Sequence, residues 1–351
     1  MKLYSAIGKT LDQPLLISKF SRAVPAVLTT GAAAYGLKNV LKAPKDERKE
    51  ALIKNTCVLS TTVASALLCA KALKPNKIKS VVETIRQQSD LIDKFVKENP
   101  VKDEVSGLLN KMKTKVLNIK EIKTLGEDLS KTEKGKKFLR ELIPDPEYVK
   151  AKDIFGEIGR LSVMGFVPVV AGISGGILGD KLKDKNWKEK VPDNWKEKVP
   201  DKIKEGFYQF FANNFLCNVG AGAALGIMEK AGVTSKSKKA AGMIAGIALT
   251  GIIGGSAIAN YLGEKLINPL FGRKIANNDN KNLYSERKPE ALDVGLHVDD
   301  VATVAVISGL SWIEPALPIL YSISGYRAGI GYRNGKEAEI KTETKMPNAF
   351  Q

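Results

Sequence analysis

Charged residues are spread very unevenly along this chain, so that long uncharged runs alternate with segments dense in Lys and Glu. Four runs, 161–179, 206–228, 240–263 and 301–326, contain a single charge between them, Glu314. About 20 residues of helix cross a hydrocarbon core of ~30 Å, whereas soluble core helices rarely stay uncharged around their full circumference for that length. The pattern therefore predicts an all-α, polytopic membrane helix bundle with four spans.

Two shorter runs, 23–37 and 55–70, precede these spans and are rich in Ala and Thr. Each would cover about 22–24 Å as a helix, which is less than the thickness of the hydrocarbon core. They predict a short N-terminal hydrophobic helical pair. Two interpretations stay open: two short spans whose flanking Lys and Arg extend to the interface, or a hairpin that enters the membrane and returns to the same side.

The same pattern divides the chain into four parts. Residues 1–70 hold the helical pair, 71–160 form a polar segment, 161–330 form the Gly-rich membrane bundle and 331–351 form a polar tail. Within the polar segment, apolar residues recur at helical spacing and are interrupted at Asn99-Pro100. We expect a small group of helices there, which is either a docking surface or a solvated linker.

The number of Lys and Arg beside each span indicates its orientation, because cytoplasmic loops carry more of them. If all six runs cross the membrane, each side carries 21; if the first two form a non-crossing hairpin, the two sides carry 27 and 15. The asymmetry favours the hairpin. It places both termini and the polar segment on the cytoplasmic side of a plasma or inner membrane.

The whole chain has a formal net charge of +17. Its Lys and Arg flank the apolar runs and do not form one patch interleaved with aromatic side chains, which argues against a nucleic-acid partner. Anionic lipid headgroups are the simpler partner for this charge. The three cysteines, Cys57, Cys69 and Cys217, lie inside apolar runs at spacings that fit neither a metal site nor a set of disulfides.

Pairs of glycines four residues apart occur in three of the long runs. The pairs are Gly172/Gly176, Gly175/Gly179, Gly222/Gly226, Gly242/Gly246 and Gly251/Gly255. Two glycines at this spacing share one helix face and let two helices approach closely in lipid, where packing drives association. The pattern does not show whether the partner helix belongs to the same chain, so a homo-oligomer joined through these faces stays open.

Two amides, Asn214 and Asn218, lie on the same helix face as Gly222 inside the second long run. Unsatisfied polar groups in hydrocarbon cost on the order of several kcal/mol each, so both amides need hydrogen-bond partners. Glu314 lies at a comparable depth in the last run. We therefore expect a cluster of Glu314, Asn214 and Asn218, and buried membrane carboxyls are candidates for proton or ion pathways.

Pro315 and Pro318 follow Glu314 closely. Proline lacks a backbone N–H and interrupts the helical hydrogen-bond ladder. The alternative interpretation is therefore a helix kink at which Glu314 is protonated and purely structural. We favour the kink.

Aromatic and basic residues near the ends of the runs predict interfacial anchors, since indole and phenol rings favour the headgroup level. Trp187 and Trp195 occupy equivalent positions in a perfect tandem repeat of NWKEKVPD. Tyr326 and Arg327 stand at the end of the last run.

No enzyme motif occurs: the P-loop glycine pattern and the nucleophile elbow are both missing. The single histidine, His297, with two nearby aspartates is too weak a signal for a metal site, and we expect no cofactor. The sequence predicts a structural or interaction protein built on small-residue helix packing, with basic segments against lipid. The alternative is a transporter, channel or pore-forming protein that uses Glu314, Asn214 and Asn218 in a polar pathway.

Overall fold

The computed structural model describes residues 3–73, 79–144, 151–183, 194–233, 236–272 and 311–331. Within these ranges every regular element is a helix, which confirms the all-α prediction. In chain order the α-helices are α1 (Leu3–Leu11), α2 (Pro14–Lys42), α3 (Arg48–Ala72), α4 (Val81–Glu98), α5 (Asp103–Met112), α6 (Ile119–Leu129), α7 (Glu133–Leu142), α8 (Ala151–Lys183), α9 (Asn194–Phe210), α10 (Leu216–Lys230), α11 (Lys236–Ile247), α12 (Ser256–Leu262), α13 (Asn268–Leu270) and α14 (Leu317–Ile330).

The chain forms two compact units. Unit 1 comprises Met1–Leu28, Leu73–Lys150 and Ala305–Leu317, and unit 2 comprises Thr29–Ala72, Ala151–Val304 and Pro318–Gln351.

Unit 1 has a continuous apolar core supplied mainly by α4 to α7. Its buried members are Ile92, Val105, Leu109, Met112, Leu117, Ile122, Leu125, Leu129, Phe138, Leu139, Leu142 and Ile143. Phe95 of α4 stacks on Phe138 of α7, with ring centroids 3.8 Å apart. The helical spacing of apolar residues in the polar segment thus corresponds to helices that share one core, and α4 ends at Glu98, directly before Asn99-Pro100.

Two side-chain contacts fix the local geometry of unit 1. The amide of Gln13 donates to Leu117 O at 2.7 Å and accepts from Leu117 N at 2.8 Å, so it satisfies both backbone groups of a buried residue. Asn118 and Glu121 form a reciprocal capping box at the start of α6. Hydrogen bonds from the Lys111 ammonium and the Asn118 backbone N–H hold the pKa of Glu121 below its usual value.

Unit 2 contains the helical stretches that are long and apolar enough to cross a membrane. They are Arg48–Ala72, Gly156–Leu182, Lys198–Lys230 and Ala241–Leu270. The first is longer than the uncharged run at 55–70 because the charged residues before that run continue the helix. Of the predicted span at 301–326, residues 301–310 lie outside the described residues, and the rest is a 3₁₀ segment, Ser311–Ala316, followed by α14.

Three π-helical segments interrupt the last two of these stretches. Phe211–Phe215 joins α9 to α10, Ala248–Gly255 joins α11 to α12, and Gly263–Ile267 joins α12 to α13. Each wider turn rotates the helix face that follows it relative to a continuous α-helix. The second copy of the NWKEKVPD repeat forms the start of α9, and the first copy lies outside the described residues.

Candidate functional site

Helix α14 packs against α8 through glycines on both sides. A Cβ atom on Gly172 would overlap the carbonyl oxygen of Gly325, and a Cβ atom on Gly176 would overlap that of Gly329. These pairs advance in the same direction along both helices, so α8 and α14 are parallel and their backbones touch. The charge-based topology instead predicted a last span antiparallel to the run at 161–179.

A neighbouring face of α8 packs against α3. A Cβ atom on Gly175 would lie 2.6 Å from Cys57 O, and one on Gly179 would lie 3.0 Å from Lys54 Cα. Later residues of α8 thus meet earlier residues of α3, so these two helices are antiparallel. Helix α8 therefore presents two adjacent glycine faces to two different helices of the same chain.

The glycines predicted in the third long run face the preceding helix. Gly246 contacts Gly220 backbone to backbone, and a Cβ atom on Gly255 would lie 2.5 Å from Ala212 Cα. Gly242 meets the side chain of Met228, and Gly251 meets that of Cys217. Gly220 thus takes part in this contact, although the sequence pattern had indicated Gly222 and Gly226, which are buried and half-buried in α10.

A buried ion cluster joins α3, α8 and α9 at one end of unit 2. One carboxylate oxygen of Asp180 lies 2.8 Å from Lys202 Nζ, and the other lies 3.2 Å from Lys54 Nζ. The side chains of Asp180 and Lys202 are 3% and 2% exposed, whereas that of Lys54 is 27% exposed. Because an unpaired charge at this burial costs several kcal/mol, Asp180 and Lys202 depend on each other.

The C-terminal end of α14 also lies beside Lys202. A Cβ atom on Gly331 would be 3.8 Å from Lys202 Nζ. Gly331 has φ of +68°, and its N–H bonds back to Arg327 O at 3.1 Å, which ends the helix. The last carbonyls of a helix carry partial negative charge, so the end of α14 and Asp180 both favour the Lys202 ammonium.

Buried polar side chains continue beyond this cluster along α9 and into the π segment Phe211–Phe215. Gln209 Nε2 donates to Glu205 Oε1 at 2.8 Å, and Asn213 Nδ2 donates to Gln209 Oε1 at 3.0 Å. All three side chains are buried, and their four-residue spacing places them on one helix face. A ladder of one carboxylate and two amides therefore lies inside an otherwise apolar stretch.

The amides predicted from the sequence continue this polar series. Asn214 lies in the π segment against Gly165 of α8, and Asn218 lies one turn later in α10. Among the described residues, Asn214 Oδ1 and Asn218 Nδ2 are buried with no hydrogen-bond partner. Glu314 is also buried, in the 3₁₀ segment, but it belongs to unit 1. Its hydrogen bond to these amides stays a prediction.

The backbone changes from 3₁₀ to α geometry between the two prolines that follow Glu314. Pro315 lies inside the 3₁₀ segment, and Pro318 is the second residue of α14. Proline is tolerated in the first turn of a helix, where its missing N–H has no intrahelical partner.

The residues predicted as interfacial anchors at the end of the last run are buried. Helix α14 continues to Ile330, so Tyr326 and Arg327 lie within it and not beyond its end. The Tyr326 hydroxyl donates to Asn55 Oδ1 at 2.8 Å and accepts from Asn39 Nδ2 at 2.9 Å. Of the tryptophans, Trp195 lies in the first turn of α9, and Trp187 lies outside the described residues.

Neither family models nor known proteins identify this chain. No protein-family model, curated protein or solved structure matches it. In the part of the chain that the structure describes, no three His, Cys, Asp or Glu side chains are grouped to hold a metal ion, and His297 lies outside that part.

Proposed function

We propose that this chain is an integral membrane protein with a structural or interaction role, built as a closely packed helix bundle. The observation that supports it most is the backbone contact of Gly172 and Gly176 in α8 with Gly325 and Gly329 in α14. Such contacts stabilise helix pairs in lipid, where apolar side chains gain little by moving from one apolar environment to another.

The distribution of side chains in unit 2 is consistent with lipid contact. Glycines and polar groups lie inside, while large apolar side chains on the long helices are exposed. Examples are Leu68, Phe166, Val170, Leu178, Ile227, Leu249, Ile253 and Leu266. Because the glycine faces are occupied within one chain, we place any contact between two copies on this apolar exterior.

The helix directions suggest an orientation. One end of unit 2 holds the turn between α2 and α3, the end of α8, the start of α9 and the end of α14. The other end holds the turn between α10 and α11. The sequence at 38–54 carries six Lys and Arg and that at 180–205 carries nine, against four at 229–239. By the positive-inside rule we place the first end, together with the tail, in the cytoplasm. This proposal reverses the sides that the topology predicted from charge alone gives to 180–205 and 229–239.

Single-cysteine labelling tests the membrane bundle and its orientation. Cys57, Cys69 and Cys217 are first replaced by alanine, and one cysteine is then introduced at Lys45 or at Ala231, both of which are exposed. In intact cells we expect a membrane-impermeant maleimide to label only the cysteine at 231, and to label the cysteine at 45 only after permeabilisation. Labelling of both positions from one side would contradict the bundle, and the reverse pattern would overturn the orientation.

The polar ladder favours a second candidate, a polar pathway through unit 2. Intramembrane ionisable groups are by default candidates for ion or proton routes, and Glu205 is buried within the stretch Lys198–Lys230. Amides donate and accept hydrogen bonds but do not release protons. In this pathway Gln209 and Asn213 would therefore form hydrogen bonds with water or coordinate an ion, and Glu205 would be the ionisable group.

Flux through reconstituted vesicles tests the pathway. If it exists, Glu205→Gln should lower proton or monovalent-cation flux at least about tenfold, as expected when a charged group in the path is neutralised. Glu264→Gln, at a half-exposed carboxylate, is the matched control, and Glu314→Gln tests the carboxylate predicted from the sequence. Equal flux from all versions, or no flux above empty vesicles, would remove the transport hypothesis.

A further inference from the structure

The Lys54–Asp180–Lys202 cluster has more positive than negative charge. Each oxygen of the single carboxylate faces a different lysine, so the three side chains together carry a net charge of +1. Lys202 is additionally favoured by the carbonyl end of α14. Within the described part of the chain, Lys54 forms no ion pair other than that with Asp180. The excess positive charge is therefore located at Lys54.

The cluster lies close to the ends of three apolar stretches. Lys54 is near the start of Arg48–Ala72, Asp180 is near the end of Gly156–Leu182, and Lys202 is near the start of Lys198–Lys230. This depth corresponds to the lipid headgroups and not to the centre of the hydrocarbon. An ammonium has three N–H donors, and Lys54, 27% exposed, directs one of them towards Asp180.

We infer that this cluster binds the phosphate group of an anionic membrane lipid through Lys54. A phosphate supplies both the acceptor oxygens and the negative charge that the cluster lacks, and basic pockets between membrane helices are suited to such headgroups. Leu178 and Leu182 lie two residues from Asp180 on α8, and Leu52 lies two residues from Lys54 on α3; all three side chains are exposed and offer apolar surface to an acyl chain. This inference rests on the proposed membrane location.

Asp180 has two opposing effects in this site. It holds Lys54 and Lys202 together, but it also competes with the phosphate for the same ammonium groups. Removing its charge should therefore strengthen lipid binding even though it weakens the fold. A cluster with a purely structural role would show only the second effect.

Native mass spectrometry of the full-length, detergent-purified protein measures this binding. Phosphatidylglycerol and phosphatidylcholine are added at equal concentrations to the wild type, Lys54→Gln and Lys49→Gln. Lys49 is exposed on the same helix, so its variant has the same charge change. We expect the wild type and Lys49→Gln to prefer phosphatidylglycerol, and Lys54→Gln to bind it about tenfold more weakly. Lys54→Gln keeps the Asp180–Lys202 pair, and its thermal unfolding in phosphatidylcholine checks that it folds.

Two further arms complete the test. Asp180→Asn should bind phosphatidylglycerol more tightly than the wild type. If Asp180→Asn does not fold, the comparison of Lys54→Gln with Lys49→Gln decides whether Lys54 binds the lipid. Equal lipid binding by Lys54→Gln and Lys49→Gln would overturn the inference. If inorganic phosphate at the same concentration raises the Tm of the wild type but not of Lys54→Gln, the ligand of the cluster is free phosphate and not a lipid. None of these results changes the labelling pattern expected for the membrane bundle, so failure of this site and failure of the proposed function are distinguishable.

Discussion

Substituting leucine for Gly172 is expected to separate α14 from α8 and to lower the Tm of the purified protein by roughly 10 °C. A Cβ atom at this position would overlap the backbone carbonyl of Gly325. Backbone atoms in a helix cannot rotate away as a side chain can, so the two helices must move apart. Alanine at the same position should lower the Tm by a smaller amount, because it adds a single carbon atom.

Gly159→Leu is the matched control for this prediction. Gly159 lies in the same helix, and a Cβ atom there would have no other atom within 4 Å. Its variant should change the Tm by no more than about 2 °C. Circular dichroism in mild detergent measures both. Equal Tm values for Gly172→Leu and Gly159→Leu would show that the α8–α14 contact does not hold the bundle together.

Lys202→Met is expected to cost about 2–3 kcal/mol of folding free energy. This is less than the loss on breaking a buried pair completely, because Lys54 still pairs with Asp180. The methionine fills a similar volume but leaves Asp180 buried, with Lys54 as the remaining cation of the cluster. Lys198→Met is the control, because Lys198 is exposed one turn earlier in α9, and it should change stability by less than about 0.5 kcal/mol. Denaturant unfolding in mixed micelles compares the two variants.

The double variant Lys202→Met, Asp180→Asn separates two contributions to stability: the charge interaction between Asp180 and Lys202, and the packing of the Lys202 side chain. Replacing both members of a buried ion pair with neutral groups is often close to neutral, and Lys54 is exposed enough to extend its ammonium towards water. The double variant should therefore recover more than half of the stability lost by Lys202→Met. Additive losses from the two substitutions would mean that the charges at 180 and 202 act independently.

Runs without charge were sufficient to predict three of the membrane-length helices. The stretches Gly156–Leu182 and Lys198–Lys230 contain the runs predicted from the sequence and extend beyond them at both ends. The stretch Ala241–Leu270 begins one residue after the predicted run at 240–263 and extends beyond its other end. The helix Arg48–Ala72 is longer than its uncharged run at 55–70, because the charged residues from Arg48 to Lys54 are also helical. A charged residue can remain helical at the membrane surface, so composition locates the apolar part of a helix better than its ends.

Two features of the candidate site were not predicted, for different reasons. Gly325 and Gly329 have the same four-residue spacing as Gly172 and Gly176, but Arg327 lies between them, so Gly329 falls outside the predicted span at 301–326. The partners of Asp180 carry no such signal. The arrangement of the helices decides which lysines reach a given carboxylate. The spacing of residues along the chain does not show this arrangement.

The parallel contact between α8 and α14 also constrains how the protein is made. Helix α8 leaves the ribosome well before α14, and at ordinary rates of synthesis the interval is on the order of ten seconds. During this time the bare backbone at Gly172 and Gly176 can be occupied by a small-residue helix of another protein in the same membrane. The yield of correctly assembled protein therefore depends on how quickly the intervening helices are inserted.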